Sequence, residues 1–80
     1  MKYRANPVIV DAFKIVSVSD MDQFHRVHCA TDDGLNRIAD GAMTARYHPK
    51  PNDYWVIQED GYEYLNPADV FERKYSLVVG

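Results

Sequence analysis

The sequence predicts a mainly β fold: a small curved sheet or barrel of about six short strands, with one or two short helical turns. Two observations lead there. Short β-branched and aromatic runs recur along the 80 residues, and Asp/Gly or Pro turn signals separate them. A content of 46% hydrophobic, 12% aromatic and 26% charged residues is an ordinary globular mix, which excludes a disordered tail, a coiled coil or a repeat array. No linker or low-complexity stretch interrupts the chain, so residues 1–80 are read as one domain.

Pro7 to Val16 is a β-branched run with Ile9, Phe13 and Ile15 on one face and Val8, Val10 and Ala12 on the other, the pattern of a strand buried on both sides. Asp11 falls on the Ile9/Phe13 face, where a bulge or strand-end bend would turn it outward. Ser19 to Asp22 offers a cap for a short helix carrying Met21, Phe24 and His28. A competing pattern is stronger: Phe24 to Thr31 alternates, Asp32-Asp33-Gly34 supplies a turn, and Leu35 to Ala39 supplies a partner strand. Asp40 then caps one or two helical turns over Ala42 to Tyr47, ended by His48-Pro49-Lys50-Pro51.

Asp53 to Leu65 reads as a hairpin around an Asp60-Gly61 type I′ turn. That register sets Val56 opposite Leu65 and Ile57 opposite Tyr64. It places Trp55, Ile57 and Tyr64 on one face, with Tyr54, Val56 and Leu65 on the other. Asn66-Pro67-Ala68-Asp69 is an N-cap followed by a proline at the first helical position, predicting a helical turn over Pro67 to Phe71. Arg73 to Val79 alternates and closes the sheet.

The opening Tyr3-Arg4-Ala5-Asn6-Pro7-Val8-Ile9-Val10-Asp11-Ala12-Phe13 and the stretches Met43 to Tyr47 and Pro51 to Tyr75 resemble a family of short proteins of tailed bacteriophages and prophages. Those proteins share a Pro-Val-Val-Val-acid-Ala-Phe opening, a Pro-Gly-Asp-Tyr step, a hairpin Gly, a Pro-x-Asp-x-Phe-Glu turn and a closing Tyr. The match covers roughly half to two-thirds of the chain and leaves out Ser17 to Ala42. Asn52 stands where the family usually has Gly, a mild departure because Asn also tolerates a left-handed backbone. The resemblance implies a viral origin and a shared fold; it brings no catalytic residue.

Nine Lys and Arg against twelve Asp and Glu give a net charge of −3, so duplex DNA and anionic membrane are not expected partners. A local basic patch remains open: Lys2 and Arg4 would share an edge with Arg73 and Lys74 if the chain ends meet. The chain opens Met1-Lys2-Tyr3-Arg4 into Pro7 rather than into a long apolar stretch, and Cys29 is the single cysteine; both lead to an expected location in the host cytoplasm.

No catalytic constellation emerges, and the protein is read as not an enzyme. Gly34, Gly41, Gly61 and Gly80 are isolated rather than gathered in a phosphate loop, so no cofactor is expected. His25, His28 and Cys29 match no zinc spacing; on a strand His25 and Cys29 would share a face with His28 pointing away, whereas on a helix all three would sit together. At this length folding hides roughly 60% of the unfolded surface, and net stability is about 3–5 kcal/mol. With neither disulfide nor metal to add to it, self-association, a homo-oligomer and most simply a dimer, is expected.

Six of the seven Tyr and Trp residues lie from Tyr47 onward. That surplus nominates Tyr54, Trp55, Tyr62 and Tyr64, with Arg46, Arg73 and Lys74, as binding residues. The leading expectation is a non-enzymatic phage accessory protein that binds an unidentified host or phage protein through the aromatic hairpin. The alternative is a small-ligand, nucleotide-like sequestering protein, which requires a concave site where an aromatic face and a guanidinium converge.

Overall fold

The computed structural model describes residues 1–5 and 8–77. Its strands are β1 (Lys2–Ala5), β2 (Val8–Val18), β3 (Val27–Thr31), β4 (Asn36–Ala39), β5 (Tyr54–Gln58), β6 (Glu63–Asn66) and β7 (Ser76–Leu77). Two short helices, α1 (Gly41–Arg46) and α2 (Ala68–Lys74), follow β4 and β6. The fold is mainly β, a curled sheet with two short helices, as the turn signals predict.

β2 is the pivot, and its backbone parity shows how. Ala12 N–H donates to Met1 O (2.7 Å) and Lys14 O accepts from Asp32 N (2.9 Å), so the even residues face β1 and then β3. Ile15 N–H donates to Asp53 O (2.8 Å), so the odd residues face β5. β1 and β3 therefore lie end to end along one edge of β2, and β5 takes the other. A register shift between Ile15 and Ser17 bends β2 so that β3–β4 curls away.

Each face of the β2–β5 pair carries a core, which is why β2 is apolar on both sides. Val10, Ala12, Tyr54 and Val56 pack beneath Phe71 and Tyr75 of the α2 segment. On the opposite face Ile15 and Trp55 pack with Val27, Cys29 and Ala39 of the second hairpin, and Met43 of α1 covers them. Asp40 caps α1, its Oδ1 accepting from Met43 N at 2.9 Å.

Several expectations need correction. The bulge does not rescue Asp11, which stays in register and meets Lys2 Nζ at 3.3 Å on the half-exposed face. Phe24 to Arg26 is a turn rather than strand, since Asp22 Oδ1 accepts from Phe24 N and Arg26 N (2.8 and 2.9 Å) and His25 is left-handed at φ +62°. β5–β6 runs one residue out of the expected register: Trp55 faces Leu65 and Val56 faces Tyr64. The loop holds three residues, Glu59 to Gly61, and the extra residue moves Tyr64 to the Tyr54/Val56 face and Leu65 to the Trp55 face.

At the end of the chain Pro67, not Asn66, is the cap residue, and α2 continues to Lys74. Arg73 and Lys74 are therefore helical, and the closing strand is Ser76–Leu77; Val78 and Val79 lie outside the described residues. β7 pairs with β1, Arg4 opposite Ser76, so the two chain segments do meet. Lys2 and Arg73 are each ion-paired there, with Asp11 and Asp69.

Candidate functional site

A cleft of about 420 Å³, within the ~300–1,000 Å³ usual for ligand sites, opens between α1, β6 and the end of α2. Tyr62 and Tyr64 project to one side of the strand, two residues apart, with ring centroids 5.9 Å apart and planes 29° from parallel. Arg46, in the last turn of α1, donates from Nη1 to the Tyr62 hydroxyl at 2.7 Å. Lys74 enters from the last turn of α2, and Met43 and Leu65 form the apolar floor.

Among the described residues no ion pair neutralises the cations of the cleft. The ion pairs among the described residues are Lys2–Asp11, Arg26–Asp22, Arg37–Asp33 and Arg73–Asp69, and none involves Arg46 or Lys74. Burial and the neighbouring Tyr75 hydroxyl, 3.3 Å away, push the Tyr64 phenol up to about 12, so it stays a neutral hydrogen-bonding group at physiological pH. Tyr47 is held likewise at about 12 by burial and by its bond to Asp53. The arrangement can hold an anionic group beside flat aromatic surface.

Of the side chains nominated from sequence, Arg46, Tyr62, Tyr64 and Lys74 meet at this cleft. Tyr54 and Trp55 are buried instead. The Tyr54 ring stacks on Phe71 at 4.1 Å and its hydroxyl donates to Glu72 at 2.8 Å, while Trp55 Nε1 donates to Glu63 at 2.7 Å. Arg73 lies on the exposed side of α2, pairing with Asp69 at 3.8 Å. The aromatic surplus thus fills the cores for the most part, and the exposed large apolar side chains include Phe24, Leu35 and Ile38 at the β3–β4 end.

Sequence reasoning missed Asp53, the buried carboxylate that ties the cleft's walls together. Its oxygens accept from the Tyr47 hydroxyl (2.7 Å), Lys50 N (2.9 Å) and Ala68 N (3.0 Å), fixing the exit of α1 to the first turn of α2. Two of those donors come from distant positions, so no local pattern announces them. Cys29 is buried in the Trp55 core, where desolvation pushes its thiol up to about 11; His28, next along β3, is exposed. Among the described residues no group of three metal-capable side chains converges. No helix is long and apolar enough to cross a membrane.

Compared with protein-family models, with curated proteins and with solved structures, the chain matches none.

Proposed function

We propose that this chain is a non-enzymatic accessory protein of phage origin that works in the host cytoplasm by binding an anionic partner, a host or phage protein, at the α1–β6–α2 cleft. The observation that carries the reading is the meeting of Arg46 and Lys74, neither ion-paired among the described residues, with the Tyr62 and Tyr64 rings in one open cleft. Arginine and tyrosine are the residues that most often dominate protein interfaces. The sequence resemblance to short phage proteins supplies the origin. Pull-down from host lysate tests the reading with Arg46→Gln/Tyr62→Ala, which removes cleft contacts without entering either core. Wild-type protein is expected to retain a protein that the folded double variant loses; identical recoveries overturn it.

A second reading, a small nucleotide-like ligand, is favoured by the concavity itself, because a guanidinium and two aromatic faces converge there. A nucleotide at a hundredfold over its Kd adds about 2.7 kcal/mol of stability. A thermal-shift panel of mono-, di- and cyclic nucleotides checks this, and a flat panel removes it. Self-association belongs to the proposal too, supported by exposed Phe24, Leu35 and Ile38. A monomer in light scattering at about 100 μM counts against it.

A further inference from the structure

The cleft follows a strand edge that no other strand covers among the described residues, where β6 pairs with β5 alone. In that pair Gln58 N–H donates to Tyr62 O at 2.8 Å, which sets the parity of the ladder. Hydrogen-bonded partners in an antiparallel pair alternate with non-bonded ones, so Tyr64 and Asn66 spend their backbone groups on β5. The N–H and C=O of Glu63 and Leu65 point the other way, off the sheet. α1 covers the Trp55 face and α2 the Phe71 face, and the cleft draws its lining from both helices. It therefore opens where the two faces meet, along the free edge of β6.

We infer that β6 is a docking edge: an extended acidic segment of a partner protein adds to it as a further strand, its backbone bonding to Glu63 and Leu65 and its carboxylates meeting Arg46 and Lys74. Strand addition satisfies an edge that otherwise faces solvent, and main-chain bonds supply affinity while side-chain pockets supply specificity. Charge complementarity selects the acidic occupant. Arg46 is held at the mouth by the Tyr62 hydroxyl rather than by a carboxylate, so its charge is oriented and still available. β4 is also an edge strand, but its one cation, Arg37, is bound to Asp33 at 2.8 Å, and it carries no comparable basic cleft. The inference rests on the cleft reading above and specifies the partner's conformation.

Amide exchange measured by NMR on the full chain tests it, with a short capped peptide of alternating Glu and Val as the probe. Glu63 and Leu65 amides are expected to exchange fast in the free protein and to slow at least about tenfold with the peptide. Two further peptides, N-methylated at alternate residues in the two possible phases, should separate, one binding like the parent and the other at least about tenfold more weakly. Arg46→Gln should weaken the parent about tenfold, the scale of a charged hydrogen bond. If the peptide shifts cleft resonances while Glu63 and Leu65 stay unprotected, or if both methylated peptides bind alike, strand addition is overturned and the cleft reading survives. A response to nucleotides but not to the peptide also overturns it and leaves the small-ligand reading. No response to either probe overturns the inference and the cleft reading together.

Discussion

In the β3–β4 hairpin, Thr31 N–H donates to Leu35 O and Gly34 N–H to Thr31 O, both at 3.0 Å; in β5–β6, Gln58 and Gly61 make the same two bonds, to Tyr62 O and Gln58 O, at 2.8 and 2.9 Å. Each loop has three residues and ends on a left-handed glycine, Gly34 at φ +87° and Gly61 at φ +90°. Each has an aspartate before that glycine, Asp33 or Asp60, whose Oδ1 accepts from the N–H just after it. The strands beyond these matching turns differ. β3–β4 neutralises its own cation, since Arg37 binds Asp33 and lies over the Phe13 ring at 4.5 Å. β5–β6 receives a cation from α1 and meets it with a phenol. The turn sets the geometry of a hairpin, and local charge neutralisation is what distinguishes the two edges.

The two hairpins also differ in how many cores they serve, and the largest expected effect tests that. β5 contributes to both faces of the sheet, with Tyr54 and Val56 on one and Trp55 on the other. Trp55→Ala should cost about 3–5 kcal/mol. That is comparable with the ~3–5 kcal/mol expected for a chain of this length, so the variant should be unfolded in circular dichroism at 25 °C. Ile38, half-exposed on β4, should change stability by less than about 0.5 kcal/mol on truncation to Ala, read by urea denaturation. Equal losses would remove the distinction.

Gly34→Ala and Gly61→Ala sharpen the likeness of the turns. A Cβ at either position meets no atom within 4 Å, so the whole cost is that of a left-handed backbone, about 1–2 kcal/mol in each case. Urea midpoints should fall by similar amounts. A difference above about 1 kcal/mol would show that the loops are not equivalent.

That likeness was half legible in the sequence. Asp32-Asp33-Gly34 announces the first turn, Asp40 the cap of α1, and the β-branched run the two-sided burial of β2, because each depends on neighbours in the chain. Asp60-Gly61 fits a two-residue and a three-residue loop equally well, and the choice decides which side of β6 Tyr64 occupies. Burial of Tyr54 and Trp55 was not legible either: it depends on Phe71 arriving from α2 and Cys29 from β3. The cleft needed Arg46 and Lys74, 28 positions apart in the numbering, to be brought together by the Asp53 tie between their helices.

Acid should separate the hairpins further. The Thr31 hydroxyl bond, the largest influence, acts with the Arg37 bond and the Leu35 N–H to hold the Asp33 carboxyl down at about 2, against desolvation, which is second in size and acts in the other direction. Its pKa is lower folded than the ~3.9 expected unfolded, so its contribution is complete above about pH 4 and is lost as pH falls through about 2. Thermal unfolding from pH 6 to pH 2 should therefore show a shallower acid loss in Asp33→Asn than in wild type. Parallel curves would mean that the Asp33 bonds do not form in solution.

The smallest effect concerns a third left-handed position, where a side chain replaces the glycine found in both hairpin loops. Lys50 to Asp53 is a turn closed by Asp53 N–H to Lys50 O at 3.1 Å, with Pro51 second and Asn52 third at φ +79°. A positive φ at the third residue is what a type II turn demands, and Asn meets it at less cost than other non-glycine residues. Asn52→Gly relieves the remaining strain but gives the unfolded chain more freedom, a loss of about 0.5–1 kcal/mol on its own. These terms oppose each other, so the urea midpoint should move by the equivalent of less than about 0.5 kcal/mol. Asn52→Ala has no such offset and should lose about 1–2 kcal/mol. If alanine is tolerated as well as glycine, the turn does not hold its left-handed geometry, and Asp53 loses the support that aims its carboxylate at Tyr47 and Ala68.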